Sequence, residues 1–204
     1  MNINNKTFIY IIGNNQAGGA QHAFLKEAQV VSNEKNKVYF ISAGKTNYQT
    51  CILIKKYNLS MIESNILLNN NPISLLKYFI FLNKTIKNIK KETKYKIFCS
   101  YTTPLSSILG TICCIVNNIK ERRYRVGGLL FNDNLNEYKK IFAYIIEFFL
   151  LSSNKYISFV SSSNKYSYLT SYRFLRRRAK YIDIIYSICT DNLNNQDEEL
   201  KIKY

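Results

Sequence analysis

Phe8-Ile-Tyr-Ile-Ile-Gly-Asn-Asn-Gln-Ala-Gly-Gly-Ala-Gln-His-Ala-Phe-Leu-Lys-Glu-Ala28 is the stretch on which the fold turns. Thr7 to Ile12 is a β-branched and aromatic run, the composition of a buried strand. Gly13 to Gly19 then holds three glycines and two asparagines, the residues that tolerate positive φ. Ala20, Phe24, Ala28 and Val31 follow at helical spacing. A strand entering a helix through a glycine turn aims free N–H groups and a positive dipole end at whatever sits above it, which favours an anion such as a diphosphate. The glycines, at 13, 18 and 19, fit neither G-x-G-x-x-G nor the P-loop, since no Lys-Ser/Thr follows Gly19. A plain strand–helix turn of an α/β protein reads equally well from the spacing.

Outward from that turn, strands and helices alternate. Lys37 to Ser42 reads as a second strand and Cys51 to Ile54 as a short one, while Met61 to Leu68 is ambiguous. Asn69 to Pro72 is a break, with Pro72 opening a helix from Ile73 to Lys91 whose apolar stripe is Leu75, Phe79, Leu82, Ile86 and Ile89. Lys84 and Lys87 lie away from the stripe, on a face that is either solvated or rests on anionic lipid. Tyr95 to Ser100 is a strand, Pro104 to about Asn117 a helix, and Arg122 to Val126 a strand ending in Gly127-Gly128. A long helix is expected from Asn134 to Leu151, then a strand at Tyr156 to Val160. Ser161-Ser-Ser163 would cap a helix to about Phe174, and Tyr181 to Tyr186 is a last strand. This alternation predicts one α/β domain, a Rossmann-like parallel sheet with helices on both faces. Ligands of such sheets sit at the carboxyl ends of the strands, where residues 13–19, 100–103 and 127–133 would converge.

The 204 residues, 47% of them hydrophobic, suffice for a real core. The net charge of +16 implies an anionic partner: membrane lipid, nucleic acid or a phosphorylated substrate. The densest cluster, Arg173, Arg176, Arg177, Arg178 and Lys180, is either a contact for phosphate or lipid or a solvated face. Five cysteines without C-x-x-C and a single histidine, His22, argue against zinc and against a Cys–His nucleophile, and for core thiols in a reducing compartment. No apolar run is long and uninterrupted enough to span a bilayer.

Six segments in order resemble family 4 glycosyltransferases, which carry two Rossmann-like domains in the GT-B arrangement. Gly18-Gly-Ala-Gln21 is similar to their Gly-Gly-Ala-Glu turn. Tyr95-Lys-Ile-Phe-Cys-Ser-Tyr101 and Arg125-Val-Gly-Gly-Leu-Leu-Phe-Asn-Asp133 resemble a strand and the Arg-Ile-Gly-Gly strand and loop after it. Glu147 in its long helix, Tyr156-Ile-Ser-Phe-Val-Ser161, and Ile184-Ile-Tyr186 with Asp191 complete the series. The resemblance implies an N-terminal, acceptor-side domain over residues 1–186 and the start of an interdomain linker over 187–204. The family's Glu-x7-Glu donor domain is expected to be absent, so the chain would be truncated or completed by a second polypeptide.

The implied function is transfer of a sugar from a nucleotide sugar, as donor substrate and with no other cofactor, to a lipid-linked glycan acceptor in surface polysaccharide synthesis. The implied location is cytoplasmic, peripheral on the inner membrane face. Gly18, Gly19, Gln21, Ser100, Thr102, Gly128 and Asn132 are the candidate substrate contacts, and Lys84, Lys87, Arg176 and Arg177 the candidate membrane or phosphate contacts. Asp133 is the candidate catalytic carboxylate, accepting a hydrogen bond from an acceptor hydroxyl; its other reading is the N-cap of the helix near Asn134. Glu147 is either a site residue or a polar break in an apolar helix. A basic nucleic-acid-binding module and a flavodoxin-like α/β protein are the alternatives.

Overall fold

The computed structural model describes residues 6–14, 19–33, 36–46, 48–57, 59–93, 96–101, 103–127 and 136–184. Seven parallel strands form one sheet: β1 (Thr7–Asn14), β2 (Lys37–Ala43), β3 (Ser60–Glu63), β4 (Ile97–Tyr101), β5 (Glu121–Val126), β6 (Tyr156–Phe159) and β7 (Ile182–Ile184). Their order is β3-β2-β1-β4-β5-β6-β7, so the chain reverses its direction of travel between β1 and β4. The connecting helices are α1 (Gly19–Asn33), α2 (Tyr48–Lys56), α3 (Pro72–Glu92), α4 (Pro104–Val116), α5 (Glu137–Ser153) and α6 (Ser162–Ser171). This is the expected Rossmann-like sheet.

Two core layers flank it. On one face α1 and α2 bring Phe24, Leu25, Ala28 and Ile54 onto Phe8, Tyr10, Ile12, Val38 and Phe40. On the other, α3 to α6 cover Ile9, Ile11, Tyr39 and Ile41 with Tyr78, Leu82, Cys113, Leu150 and Tyr168 among others. Helices fall on opposite faces before and after β3 because right-handed connections reverse face when the direction of travel reverses. β1 is apolar at nearly every position because both its faces are covered. Each fully buried Ile or Phe of this kind contributes about 1.5–3 kcal/mol.

Several boundaries depart from expectation. Cys51–Ile54 belongs to helix α2, not to a strand: Thr50 and Ile54, four apart, are buried while Ile52 is exposed, a helical pattern. The third strand is Ser60–Glu63, which overlaps the start of the ambiguous run. Helix α5 begins at Glu137, and its N-cap is Asn136, whose side chain accepts from Lys139 N at 3.1 Å, so the capping role read for Asp133 belongs to Asn136. Helix α6 ends at Ser171 and a 3-10 run, Arg173–Tyr181, carries the chain to β7. Asn71 and Ser161 cap α3 and α6, with Pro72 at the first helical position. Cys99, Cys113 and Cys114 are buried thiols, as their apolar runs suggest. Among the described residues no helix is long and apolar enough to cross a membrane.

At the amino edge of the sheet Glu121 is buried and bonded to Lys155 Nζ at 2.9 and 3.0 Å and to Lys96 Nζ at 3.1 Å. Desolvation raises its pKa, but hydrogen bonds from Lys155, Tyr156 and Lys96 together outweigh it and hold the carboxyl at about 2. A carboxyl whose pKa is lower folded than unfolded stabilises the fold above its unfolded value, near 4.5, and that contribution disappears as pH falls toward 2. Urea denaturation of Glu121→Gln is therefore expected to show a flatter loss of stability than wild type between about pH 4.5 and 2; parallel pH profiles would contradict this.

Candidate functional site

The reversal between β1 and β4 opens a crevice at the carboxyl rim of the sheet, since the helices that follow these neighbouring strands leave on opposite faces. Gly13, in β1, and Thr103, just before α4, meet there. A Cβ placed on Gly13 would lie 2.5 Å from Thr103 Oγ1 and 3.4 Å from Thr103 Cβ, so only glycine lets the first turn press against the start of α4. Thr103 is the N-cap of α4, yet its side chain accepts no capping bond; its hydroxyl lies 2.7 Å from Ser106 Oγ. The first-turn N–H groups of α4 therefore look onto the rim beside the start of α1, which has no acidic residue in its first turn. Just past β5, no described residue lies within 4 Å of where a Gly127 Cβ would be. Gly13→Ala is expected to cost about 1–3 kcal/mol through this clash, and Thr103→Ala in the same chain should recover most of it. A thermal melt of the four-member cycle measures the coupling; additive effects would place the two residues apart.

A charged cluster lies directly below the rim, on the α1 face. Glu27 accepts from Tyr10 Oη at 3.0 Å and from Arg123 Nη2 at 2.5 Å, and its second oxygen is 3.8 Å from Arg125 Nη1. Arg123 Nε donates to Ser100 Oγ at 2.6 Å. Both guanidiniums face the Phe24 ring, at 5.9 and 5.5 Å from its centroid. Burial pushes the Arg125 pKa down to about 10, against the pull of Glu27 and with a further push from Arg123. It stays charged at neutral pH. The cluster ties α1, β1, β4 and β5 into one unit and fixes where the helix start stands relative to the crevice.

The residues singled out from the sequence distribute unevenly. Gly19 is the first residue of α1, at the rim, and Gln21 lies in that helix's first turn. Ser100 lies within β4, buried, serving as acceptor for Arg123 below the rim rather than in an open loop. Gly18, Thr102, Gly128, Asn132 and Asp133 lie outside the described residues. Lys84 and Lys87 are exposed but occupy the later half of α3, which runs away from the rim. Arg176 and Arg177 are exposed in the 3-10 run between the end of α6 and the start of β7, at the amino edge. Glu147 is buried and accepts from the hydroxyls of Tyr168 and Tyr172, which makes it a packing residue of α5 and α6.

The fold has solved counterparts. It is similar to a glycosyltransferase from Rickettsia africae, with a TM-score of 0.58 and 18% identity over 90% of this chain and 43% of that one. It is also similar to MurG of Acinetobacter baumannii, with a TM-score of 0.55 and 12% identity over 78% of this chain and 42% of that one. A third counterpart is S. aureus MnaA in a co-structure with UDP, with a TM-score of 0.58 and 9% identity over 87% of this chain and 42% of that one. Identities this low speak for the fold alone. The chain spans less than half the length of each of these structures. No family model matches it, and no curated protein does.

Three participants were not singled out as site residues from the sequence: Glu27, Thr103 and the apolar surface of α5. Glu27 had a signal, since it falls among Phe24, Leu25, Ala28 and Val31 on the buried side of α1. Thr103 had its place in the 100–103 segment expected at the rim, before Pro104.

Proposed function

We propose that this chain forms the acceptor-side domain, residues 1–186, of a two-domain family 4 glycosyltransferase, with residues 187–204 leading into the linker. It would move a sugar from a nucleotide sugar to a lipid-linked glycan in surface polysaccharide synthesis, at the cytoplasmic membrane face. The observation that carries this reading is the crevice at the β1–β4 reversal, where Gly13 packs on Thr103 and two helix starts face one rim. The counterpart named as a glycosyltransferase and the one solved with UDP share this fold and support the reading.

In this proposal Gly18 and Gly19 offer backbone N–H groups to the donor diphosphate. Gln21, Thr102, Gly128 and Asn132 line the crevice with polar groups, and Asp133 accepts a hydrogen bond from the attacking hydroxyl. Proximity and electrostatic stabilisation of the leaving diphosphate supply the catalysis. The donor half of the pocket comes from a second domain, on this polypeptide or another.

The test is sugar transfer by the purified chain, alone and with a separately expressed donor domain. Transfer is expected only with both present, and Asp133→Asn should lower kcat by about 10²–10⁴-fold if it acts as general base. Full turnover by the chain alone would refute the divided site.

A further inference from the structure

Helix α5 is apolar nearly all round. Its inner side buries Glu147, Leu150 and Leu151, and its outer side leaves Tyr138, Ile141, Phe142 and Ile145 exposed, Tyr138 by 87%. A helix of this composition is normally covered on every side. It cannot roll to hide the outer residues, because Glu147 is held inward by the hydroxyls of Tyr168 and Tyr172. Between α5 and α4 runs a groove of about 380 Å³, walled by Pro104, Leu105 and Ile108 on one side and Tyr138, Phe142 and Ile146 on the other. Pro104 and Tyr138 lie in the first turns of their helices and Ile108 and Ile146 further along them, so one end of the groove lies at the carboxyl rim, beside the crevice. Lys139 stands in its wall, the one charged side chain there among the described residues.

The shape and the charge together select the occupant. A bilayer surface is broad and cannot fill a slot between two helices, whereas a single hydrocarbon chain can. A second copy of this chain would bring Lys139 against Lys139 and +16 against +16. An amphiphile with an apolar tail and an anionic head suits the apolar walls, Lys139 and the start of α4 together. We propose that the α4–α5 groove holds the hydrocarbon chain of the lipid-linked acceptor, with its phosphate end at the rim. This rests on the function proposed above and adds to it the place where the acceptor's lipid is bound.

The full chain is titrated calorimetrically with farnesyl diphosphate and with inorganic diphosphate. Its sedimentation with vesicles of phosphatidylglycerol and phosphatidylcholine is measured in parallel. Farnesyl diphosphate is expected to bind one-to-one and at least tenfold tighter than inorganic diphosphate. Ala143→Phe, which fills the groove, and Phe142→Asp, a change at an exposed position, should each weaken it tenfold or more. Lys55→Ser, at the end of α2, should leave it unchanged, and circular dichroism confirms that each variant is folded. Equal binding of the two diphosphates, or groove variants that bind as wild type, would overturn the proposal. So would vesicle binding without saturable farnesyl diphosphate binding, which would make this face a bilayer contact. Because no sugar transfer enters this assay, the groove can fail while transfer to a water-soluble acceptor stands, and the reverse.

Discussion

Glu27→Ala is expected to lower folding stability by about 3–5 kcal/mol, the cost of breaking a buried ion pair from one side. The carboxylate is shared by Arg123 and Arg125, both buried, and it is bonded to Tyr10 as well. Alanine would leave two guanidiniums in a region of low dielectric without that counter-charge. Glu27→Gln keeps an amide oxygen for Tyr10 and Arg123 and should cost less, which separates the hydrogen bonds from the charge. The measurement is urea denaturation with the slope compared between variants, since a changed slope would signal an altered native or unfolded state. A loss below about 1 kcal/mol, the range of exposed pairs, would mean that the arginines reach water.

The second large effect is expected at Glu147. Tyr168 and Tyr172 both donate to its carboxylate, the latter at 2.5 Å, and burial and this bond push both phenols far above their usual range. Tyr168→Phe with Tyr172→Phe should be destabilising by about 3–6 kcal/mol, because each hydrogen bond to a charged group is worth about 1.5–3 kcal/mol and the carboxylate stays buried. Adding Glu147→Leu to that pair should recover much of the loss, since apolar replacement of a whole buried polar group is often neutral or stabilising. Thermal melts of the double and triple variants check this. A triple variant less stable than the double one would show that the carboxylate has a further structural partner worth more than its desolvation.

The general fold was legible because its signals are local. The apolar run of β1, the glycine turn and the helix after it stand in sequence order, and Pro72, Pro104 and Ser161 mark helix starts where the helices begin. Cys51–Ile54 was misread because four apolar residues are too few to tell a period of two from one of 3.6; Thr50 and Ile54 settle it only once their burial is seen. Ser100 reads as the last residue of its strand, where a polar rim segment begins, yet the strand continues to Tyr101 and the Ser100 hydroxyl accepts from Arg123. The Glu27 cluster joins residues far apart in sequence, which no local pattern records. Its trace in the sequence is two arginines on the same face of β5 and one acid within an apolar helix face. The α4–α5 groove was out of reach for a different reason: an apolar helix reads as buried, and only the packing shows which side stays uncovered.

Strand β1 lies in the interior of the sheet although it is made before the six others. Thr7 is paired with Lys37 on one side and with Ile97 on the other. At about 5–20 residues per second, the ribosome delivers β4 roughly 5–18 s after β1. Until then the nascent β3-β2-β1 layer carries a bare, almost wholly apolar margin, the kind of template on which chains stick together. Production of this protein should therefore gain more from slower initiation or from chaperone supply during synthesis than from any change that strengthens the finished fold.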